Sequence, residues 1–188
     1  MGRRNRSVIF SVCALFQVHS SFVRSFPYMA RLEDLKLTHR LFVETYPFRT
    51  VDWAPGARLA KPLNQSKLAL ISSSGVYLSG QPPFDLAFRG GDFSFRELPN
   101  TLDVRTLQIS QRSSDFDQTG AREDGNLVFP LARFRELVAR RTIAELNHRH
   151  FSFMGSISAP GRLISDSAPR VGEMLREDGV DAAFLVPA

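Results

Sequence analysis

Cysteine is almost absent from this chain: Cys13 is the only one among its 188 residues. A single thiol excludes an intrachain disulfide, a zinc site built from several thiolates and a Cys-x-x-Cys redox pair within the sequence. The fold must therefore be held together by apolar packing. Sixteen phenylalanines within a 43% hydrophobic composition supply enough apolar area for the core of one domain.

Lysine is also scarce, with three residues against 21 arginines. The formal net charge is +5, but residues 1–28 hold four arginines and no acidic residue, which leaves only +1 for residues 29–188. The larger part of the chain is thus nearly neutral, and it has no basic stripe with interleaved aromatic residues. We therefore expect no nucleic-acid partner.

No apolar run approaches the roughly 20 residues that a membrane-spanning helix requires. Ser7–Val18 is an apolar run that follows the basic residues of Met1–Arg6, an outline shared with secretory signal peptides. We favour the alternative of a translation start at Met29, since the sequence there leads directly into an amphipathic helix. On either view residues 1–28 lie outside the fold and residues 29–188 form it, and we expect a cytoplasmic protein with no membrane partner.

Several common catalytic signatures are missing as well. The sequence has no Gly-x-Gly-x-x-Gly fingerprint, no phosphate-binding loop with its lysine and no nucleophile elbow. His148 and His150 alternate with aromatic residues as on a β-strand, which would put both on one face. No third ligand follows at the spacing of a metal site, so we expect neither a metal ion nor a cofactor.

Two short apolar runs predict strands. Lys67–Ser72 has the pattern of a strand that is buried on both faces of a sheet, and Val180–Val186 is a second apolar strand. Leu102–Ile109 alternates well enough to predict another strand. Helices are predicted over residues 31–46, from Pro130 onward, and from Ser167 to a stop at Gly179.

A buried strand, a connection that contains helices and a second apolar strand together favour a parallel arrangement with a right-handed crossover. We therefore predict an α/β fold with an open, mostly parallel sheet and flanking helices, of the Rossmann-like or flavodoxin-like kind.

The most polar part of the chain, Asp115–Pro130, lies directly before the strongest predicted helix. Positive φ angles at Gly120 and Gly125 would let the backbone fold back on itself. Four side chains would then point at a common centre, and we take them as candidate substrate-binding residues: Asp117, Arg122, Asp124 and Asn126. The alternative is a solvated surface loop in which these residues make local turn hydrogen bonds.

A second candidate site follows the first buried strand, which runs directly into Ser72-Ser73-Ser74-Gly75. Open α/β sheets present ligands at the carboxyl ends of their strands, so Ser73 and Ser74 are candidate substrate-binding residues. The strand predicted at Leu102–Ile109 would bring Ser110-Gln111-Arg112 to the same edge. His150 is a further candidate, since an imidazole could hold a substrate carboxylate.

Several motifs occur in an order that resembles the selenoprotein B family of glycine, sarcosine, betaine and D-proline reductases, and especially its shorter bacterial relatives. The resemblance extends from Met29 to Ala188. The matching segments are Leu70–Gly75, Gln81–Asp85, Gly91–Arg96, Asp117–Pro130, His150–Gly155 and Glu177–Ala182.

The resemblance implies reductive cleavage of a carbon–nitrogen bond in a small amino acid or its N-methyl derivative, with thiols as the electron source. In the family, the reactive selenocysteine or cysteine pair follows the strand that matches Asp181–Val186, whereas this sequence ends at Ala188. Gln111 stands where many relatives have histidine. On this basis we expect a C-terminally incomplete reductase domain that is inactive alone, because the redox thiol is missing.

Within that interpretation, Arg122 would bind a substrate carboxylate through a bidentate contact, and Asp117 or Asp124 would bind an amine. The expected partners are a small amino-acid-like substrate, a thiol reductant protein or another reductase subunit, and a second copy of the chain. An alternative hypothesis is a non-catalytic α/β domain that binds a small molecule or a partner, docking through an uncovered sheet edge. A hydrolase or metal enzyme would lack both its nucleophile motif and its ligand set.

Overall fold

The computed structural model of the protein describes residues 32–46, 58–113, 116 and 118–187. These residues belong to two compact units, residues 32–46 and residues 58–187. The smaller unit contains a 3-10 turn, Leu32–Asp34, and helix α1, Leu37–Thr45. The predicted helix is therefore present, with an interruption after the first turn. The predicted extension of residues 1–28 lies outside the described residues.

The larger unit is built on a mixed, mostly parallel sheet. Its strands are β1 (Lys67–Ser72), β3 (Phe95–Pro99), β5 (Glu145–Leu146), β6 (Arg149–Phe153) and β7 (Ala182–Val186). The central strand is β1, which pairs in parallel with β5 and then β6 on one side and with β7 on the other. β3 is antiparallel to β6 on the far side of that strand.

Both faces of β1 are buried, as its continuous apolar run predicts. Leu68 and Leu70 pack into one core cluster, whereas Ala69 and Ile71 belong to a second cluster on the opposite face. Because side chains alternate along a strand, a run that is apolar throughout must be covered twice. The prediction of an α/β fold with an open, mostly parallel sheet and flanking helices is confirmed.

Helices α3 (Leu131–Ala139) and α4 (Ala168–Glu177) cover the two faces. α3 contributes Leu131 and Phe134 to the first cluster, and α4 contributes Val171 and Leu175 to the second. Both helices were predicted from their apolar spacing. Gly179 follows α4 with a φ of 71°, in agreement with its predicted role as a stop.

The strand predicted at Leu102–Ile109 is wrong over most of its length. The Asp103 side chain accepts a hydrogen bond from the backbone N–H of Arg105 and caps a 3-10 turn at Val104–Thr106. Only β4, Gln108–Ile109, is extended, and it pairs antiparallel with β2, Val76–Tyr77, in a separate two-stranded sheet. A local side-chain bond to the backbone thus outcompetes the strand.

β3 is one of the strands that the sequence did not predict, because Phe95–Pro99 looked like an extension of the preceding loop. It lies at the edge of the sheet, where a proline such as Pro99 is tolerated. Among the described residues, no helix combines the length and the apolar character needed to cross a bilayer.

Candidate functional site

Strands β1, β6 and β7 end at the same edge of the sheet, here called the carboxyl edge. The chain that leaves β1 crosses this edge and is bonded to both neighbouring strands. The backbone N–H of Ser73 donates to the Val186 carbonyl at 3.1 Å, and that of Gly75 donates to the Phe153 carbonyl at 2.9 Å. The turn after β1 therefore covers the ends of all three strands.

Gly75 determines which segment lies next to the end of β1 at the carboxyl edge. Its φ is 71°, and a Cβ atom at this position would lie 2.1 Å from the carbonyl oxygen of Ser110. The backbone N–H of Ser110 donates to the Gly75 carbonyl at 2.9 Å. Only glycine allows this approach, which brings Ser110 to the end of β1. The sequence predicted Ser110-Gln111-Arg112 at this edge, but through a strand that is absent over most of its length.

The two predicted serines differ in their environment. Ser74 is fully buried, and its hydroxyl donates to the Ser72 hydroxyl at 2.7 Å, while the Ser72 hydroxyl donates to the Val128 carbonyl at 2.7 Å. Ser73 is half-buried, and its carbonyl accepts from the side-chain amide of Gln111 at 3.3 Å. The Ser74 hydroxyl is thus part of the framework, whereas Ser73 is partly accessible to solvent.

Ser152 lies beside Ser72 in the parallel register of β6 and β1. It is fully buried, and its hydroxyl has no hydrogen-bond partner within the described part of the chain. An unpaired buried hydroxyl costs free energy of folding, so this serine stands out from the apolar residues around it.

His150 is fully buried in the first core cluster, where its ring packs edge-on against Phe129. Its Nδ1 atom accepts a hydrogen bond from the backbone N–H of Leu70 at 3.1 Å, and its Nε2 atom lies 3.3 Å from Oδ1 of Asn100. Nδ1 is therefore unprotonated and Nε2 carries the hydrogen. Burial, together with repulsion from Arg135, lowers the pKa of His150 to about 4.

The two histidines of the predicted pair do not share a face, and that prediction is wrong. β6 begins at Arg149, so His148 precedes the strand, and its exposed ring has Nδ1 4.0 Å from the Asp178 carboxylate. Within the described ranges no group of three or more His, Cys, Asp or Glu residues could hold a metal ion.

The polar segment before α3 is largely helical. Gly120 lies in helix α2, Gln118–Glu123, and Gly125 begins a 3-10 turn, Gly125–Leu127, so neither adopts the positive φ that was predicted. Gly125 is nevertheless required for another reason. A Cβ atom there would lie 2.5 Å from the Val104 carbonyl oxygen.

The candidate residues of this segment bond mainly to their own neighbours. The Asp124 carboxylate accepts from the backbone and the side-chain amide of Asn126, both at 2.9 Å, and these bonds lower the pKa of Asp124. Oδ1 of Asn126 accepts from the Ala132 backbone at 3.1 Å, at the start of α3. The exposed Arg122 donates to Gln118 at 2.9 Å on its own helix, and Asp117 lies outside the described residues. These contacts match the alternative of local turn hydrogen bonds.

An open depression of about 240 Å³ lies at the opposite, amino edge of the sheet, lined by Asn100, Arg135, Val138, Glu145 and Leu146. The Arg135 guanidinium is already occupied there, because it donates to the carbonyl oxygens of Asn100 and Leu102. Ligands of α/β sheets bind at the carboxyl ends of the strands. We therefore regard the carboxyl edge, and not this depression, as the candidate site.

The sequence matches the family described as glycine/sarcosine/betaine reductase selenoprotein B (GRDB) over residues 31–188. The chain belongs to this family. The match spans every strand of the described sheet and the whole carboxyl edge, which is why the motifs recognised in the sequence occur in the family's order.

Three curated relatives of this selenoprotein B family chain are reductase subunits. The D-proline reductase subunit gamma of Acetoanaerobium sticklandii is 30% identical over 133 residues, which is 71% of this chain and 52% of that protein. The glycine reductase complex component B subunit gamma of Peptoclostridium acidaminophilum is 24% identical over 153 residues, 80% of this chain and 34% of that protein. The sarcosine reductase complex component B subunit beta of the same organism is 23% identical over 150 residues, which is 80% of this chain and 34% of that protein.

The chain thus spans about half the length of the first relative and a third of the other two. No solved structure matches it significantly.

Arg112 also lies at the carboxyl edge, next to Gln111. It is exposed, its backbone N–H donates to Oε1 of Gln111 at 2.8 Å, and its Nη1 lies 3.4 Å from the Phe88 carbonyl oxygen. The sequence predicted that Arg112 would reach the sheet edge. It gave no sign of the contact with Phe88, which lies in a loop 24 residues away.

Proposed function

We propose that this chain forms the substrate-binding α/β part of an enzyme that reductively cleaves a carbon–nitrogen bond in a small amino acid of the glycine type. The observation that carries the proposal is the family match over residues 31–188, which includes the sheet and its carboxyl edge. Relatives named as D-proline, glycine and sarcosine reductase subunits support this substrate class.

The chemistry requires a thiol pair. The carbon–nitrogen bond breaks, a hydrogen is gained at the carbon and another at the nitrogen, and two thiols supply the two electrons as they form a disulfide. Thiolate is the reactive form. Cys13 is the only cysteine of the sequence, and it lies outside the described residues. We therefore propose that the reacting thiols come from elsewhere and that this chain alone does not turn over.

The substrate binds at the carboxyl edge in this proposal, where Ser73, Gln111 and Arg112 lie together. Ser74 and His150 act as positioning residues, because both are fully buried and bonded to the framework. Asp117 binds the substrate's ammonium group in this proposal, as its carboxylate in the polar segment before α3 suggests.

A reductase subunit requires a partner, and two of the relatives are named as subunits of a complex component B. We propose that this chain also works within a multi-subunit assembly. Phe184 of β7 supports a docking surface on that side of the sheet. The residue is 45% exposed, although its ring centroid lies 4.8 Å from that of Phe134. This apolar edge is also the observation that favours the second candidate function, a non-catalytic partner-binding domain.

Equilibrium dialysis of the 188-residue chain with radiolabelled glycine, sarcosine, betaine and D-proline tests the substrate class, with L-glutamate as the control ligand. We expect saturable binding of at least one of the four and none of glutamate. Dithiothreitol is then added and products are sought by mass spectrometry, where we expect none. Absence of binding would contradict the substrate class, and product formed by the wild-type chain but not by a Cys13→Ser chain would contradict the proposal that the reacting thiols come from elsewhere.

A further inference from the structure

We propose that Arg112 is the residue that binds the carboxylate of the substrate. This inference rests on the proposed function, because it assigns a partner to one group of an amino-acid substrate. It also replaces the assignment of that role to Arg122, which the sequence alone suggested.

Arg112 lies on the carboxyl edge. Gln111 is buried, donates to the Ser73 carbonyl at 3.3 Å and accepts from the Arg112 backbone at 2.8 Å. The adjacent Ser110 is bonded to Gly75 at the end of β1. Arg112 therefore starts from a backbone that is held rigidly above the end of the central strand.

The side chain of Arg112 extends toward the loop that contains Phe88. Its Nη1 atom lies 3.4 Å from the Phe88 carbonyl oxygen, in a loop that packs against the segment after β6. That packing is close, because the Gly90 carbonyl accepts from the backbone of Ala159 at 3.0 Å. The side chain thus reaches from the end of β1 to the loop beside the end of β6.

The charge of Arg112 also suits this role. No carboxylate lies within 4.0 Å of its guanidinium among the described residues, whereas Arg96, Arg105, Arg133 and Arg149 each have an acidic partner within that distance. Its contact with the Phe88 carbonyl is long and uses one of five N–H groups. The remaining donors form the planar fork that matches a carboxylate in a bidentate contact.

Arg122 also has no acidic partner in the described part of the chain, but it lacks the position and the direction of Arg112. It is exposed on helix α2, and its Nη2 donates to Gln118 one turn away on the same helix. No hydrogen bond in the described part of the chain connects its side chain to the ends of β1, β6 or β7.

Isothermal titration of the 188-residue chain with two matched ligand pairs tests the inference. The pairs are glycine with glycinamide and D-proline with D-prolinamide, in which the amide removes the carboxylate charge. We expect the wild-type chain to bind the acid, glycine or D-proline, more tightly than the corresponding amide. Arg112→Gln should weaken binding of that acid by roughly 10- to 100-fold, since a hydrogen-bonded charge is lost, and leave binding of the amide unchanged.

Two further variants and one stability measurement make the result specific. Arg112→Lys keeps the positive charge but lacks the planar fork of N–H donors, so it should lose an intermediate amount of affinity for the acid. Arg140→Gln removes an exposed arginine from the residue that follows α3 and should leave binding unchanged. Arg112 is exposed, so the unfolding midpoint of Arg112→Gln should equal that of the wild type.

The outcomes separate the two proposals. Wild-type binding that Arg112→Gln leaves intact would overturn this inference and leave the proposed function standing. Loss of binding in Arg122→Gln with none in Arg112→Gln would return the role to Arg122. A wild-type chain that binds neither glycine nor D-proline would contradict the proposed function and, with it, the role of Arg112.

Discussion

The imidazole of His150 accepts a hydrogen bond from the backbone N–H of Leu70 at 3.1 Å, where a strand would ordinarily supply a carbonyl oxygen. Residues 69–70 of β1 lie opposite residues 147–150, so the neighbouring strand carries two extra residues between β5 and β6. A buried N–H without an acceptor is costly. The His150 ring thus supplies an acceptor for the Leu70 N–H at the point where regular hydrogen bonding between the central strand and its neighbour is interrupted.

Because this contact needs neutral Nδ1, we predict that acid destabilises the fold through His150. Its pKa is about 4 in the folded chain against an ordinary value of 6.5, so the unfolded chain binds the proton more readily. Stability is then fully present above pH 6.5 and falls as the pH drops from 6.5 to 4, by about 3 kcal/mol. Urea unfolding at pH 7 and pH 4.5 measures the loss.

His150→Asn is the variant that isolates this effect. Asparagine places an oxygen near the position of Nδ1 but does not titrate. It should be less stable at pH 7, because the ring leaves a cavity, yet show a flatter pH dependence between 6.5 and 4. A variant with the wild-type pH slope would refute the assignment to His150.

Gly75→Ala should destabilise the chain by about 3 kcal/mol. The substitution combines a left-handed backbone with a Cβ atom 2.1 Å from the Ser110 carbonyl oxygen. Gly179 has the same φ of 71° but no atom within 4 Å of an added Cβ, so Gly179→Ala should cost only about 1 kcal/mol. Thermal unfolding compares them, and equal costs would argue against the close approach of Gly75 to Ser110.

Ser152→Ala should be neutral or stabilising by up to about 1 kcal/mol, because it removes a buried hydroxyl with no partner in the described chain. The neighbouring Ser72→Ala is the matched control. It should cost about 1 to 2 kcal/mol, since the Val128 carbonyl loses its donor. Chemical denaturation resolves the difference, and an equal loss for both variants would mean that the Ser152 hydroxyl is bonded in solution.

Asp178→Asn should destabilise the chain by about 3 kcal/mol. Burial alone would raise the pKa of Asp178, but hydrogen bonds from Arg149 and Asn147 hold it below its usual value. The carboxylate accepts from Arg149 at 2.7 and 2.9 Å and from Asn147 at 2.8 Å. Removing one member of such a buried pair leaves the other uncompensated.

Asp103→Asn is the control for this ion pair. Its partner Arg105 is 85% exposed, so the substitution should cost clearly less stability than Asp178→Asn in the same denaturation experiment. If the two variants lost equal stability, burial would not be what makes the Asp178 pair important.

Strong local patterns allowed much of the fold to be predicted. β1 and β7 are continuous apolar runs, and α3 and α4 have regular apolar spacing. β3 was missed because Phe95–Pro99 contains a proline and lies at an edge, where burial imposes no clear pattern. The strand at Leu102–Ile109 failed because its alternation could not reveal the cap that Asp103 provides.

The candidate site was predictable only where it follows directly from a strand. Ser73 and Ser74 lie at the carboxyl edge because β1 ends there. Asp124 and Asn126 instead bond to each other, which composition cannot distinguish from a converging site. Arg112 contacts the Phe88 carbonyl oxygen, a tertiary contact that no local pattern encodes.

The central claim is that an amino-acid substrate binds at the carboxyl edge of this family chain. Amide chemical-shift mapping by NMR, with glycine and D-proline added in turn, tests it most directly. The account predicts shifts at Ser73, Gly75, Arg112 and Ser113, with little change at Asn100 and Glu145 on the amino edge. Shifts confined to the amino-edge depression, or none with either ligand, would contradict it.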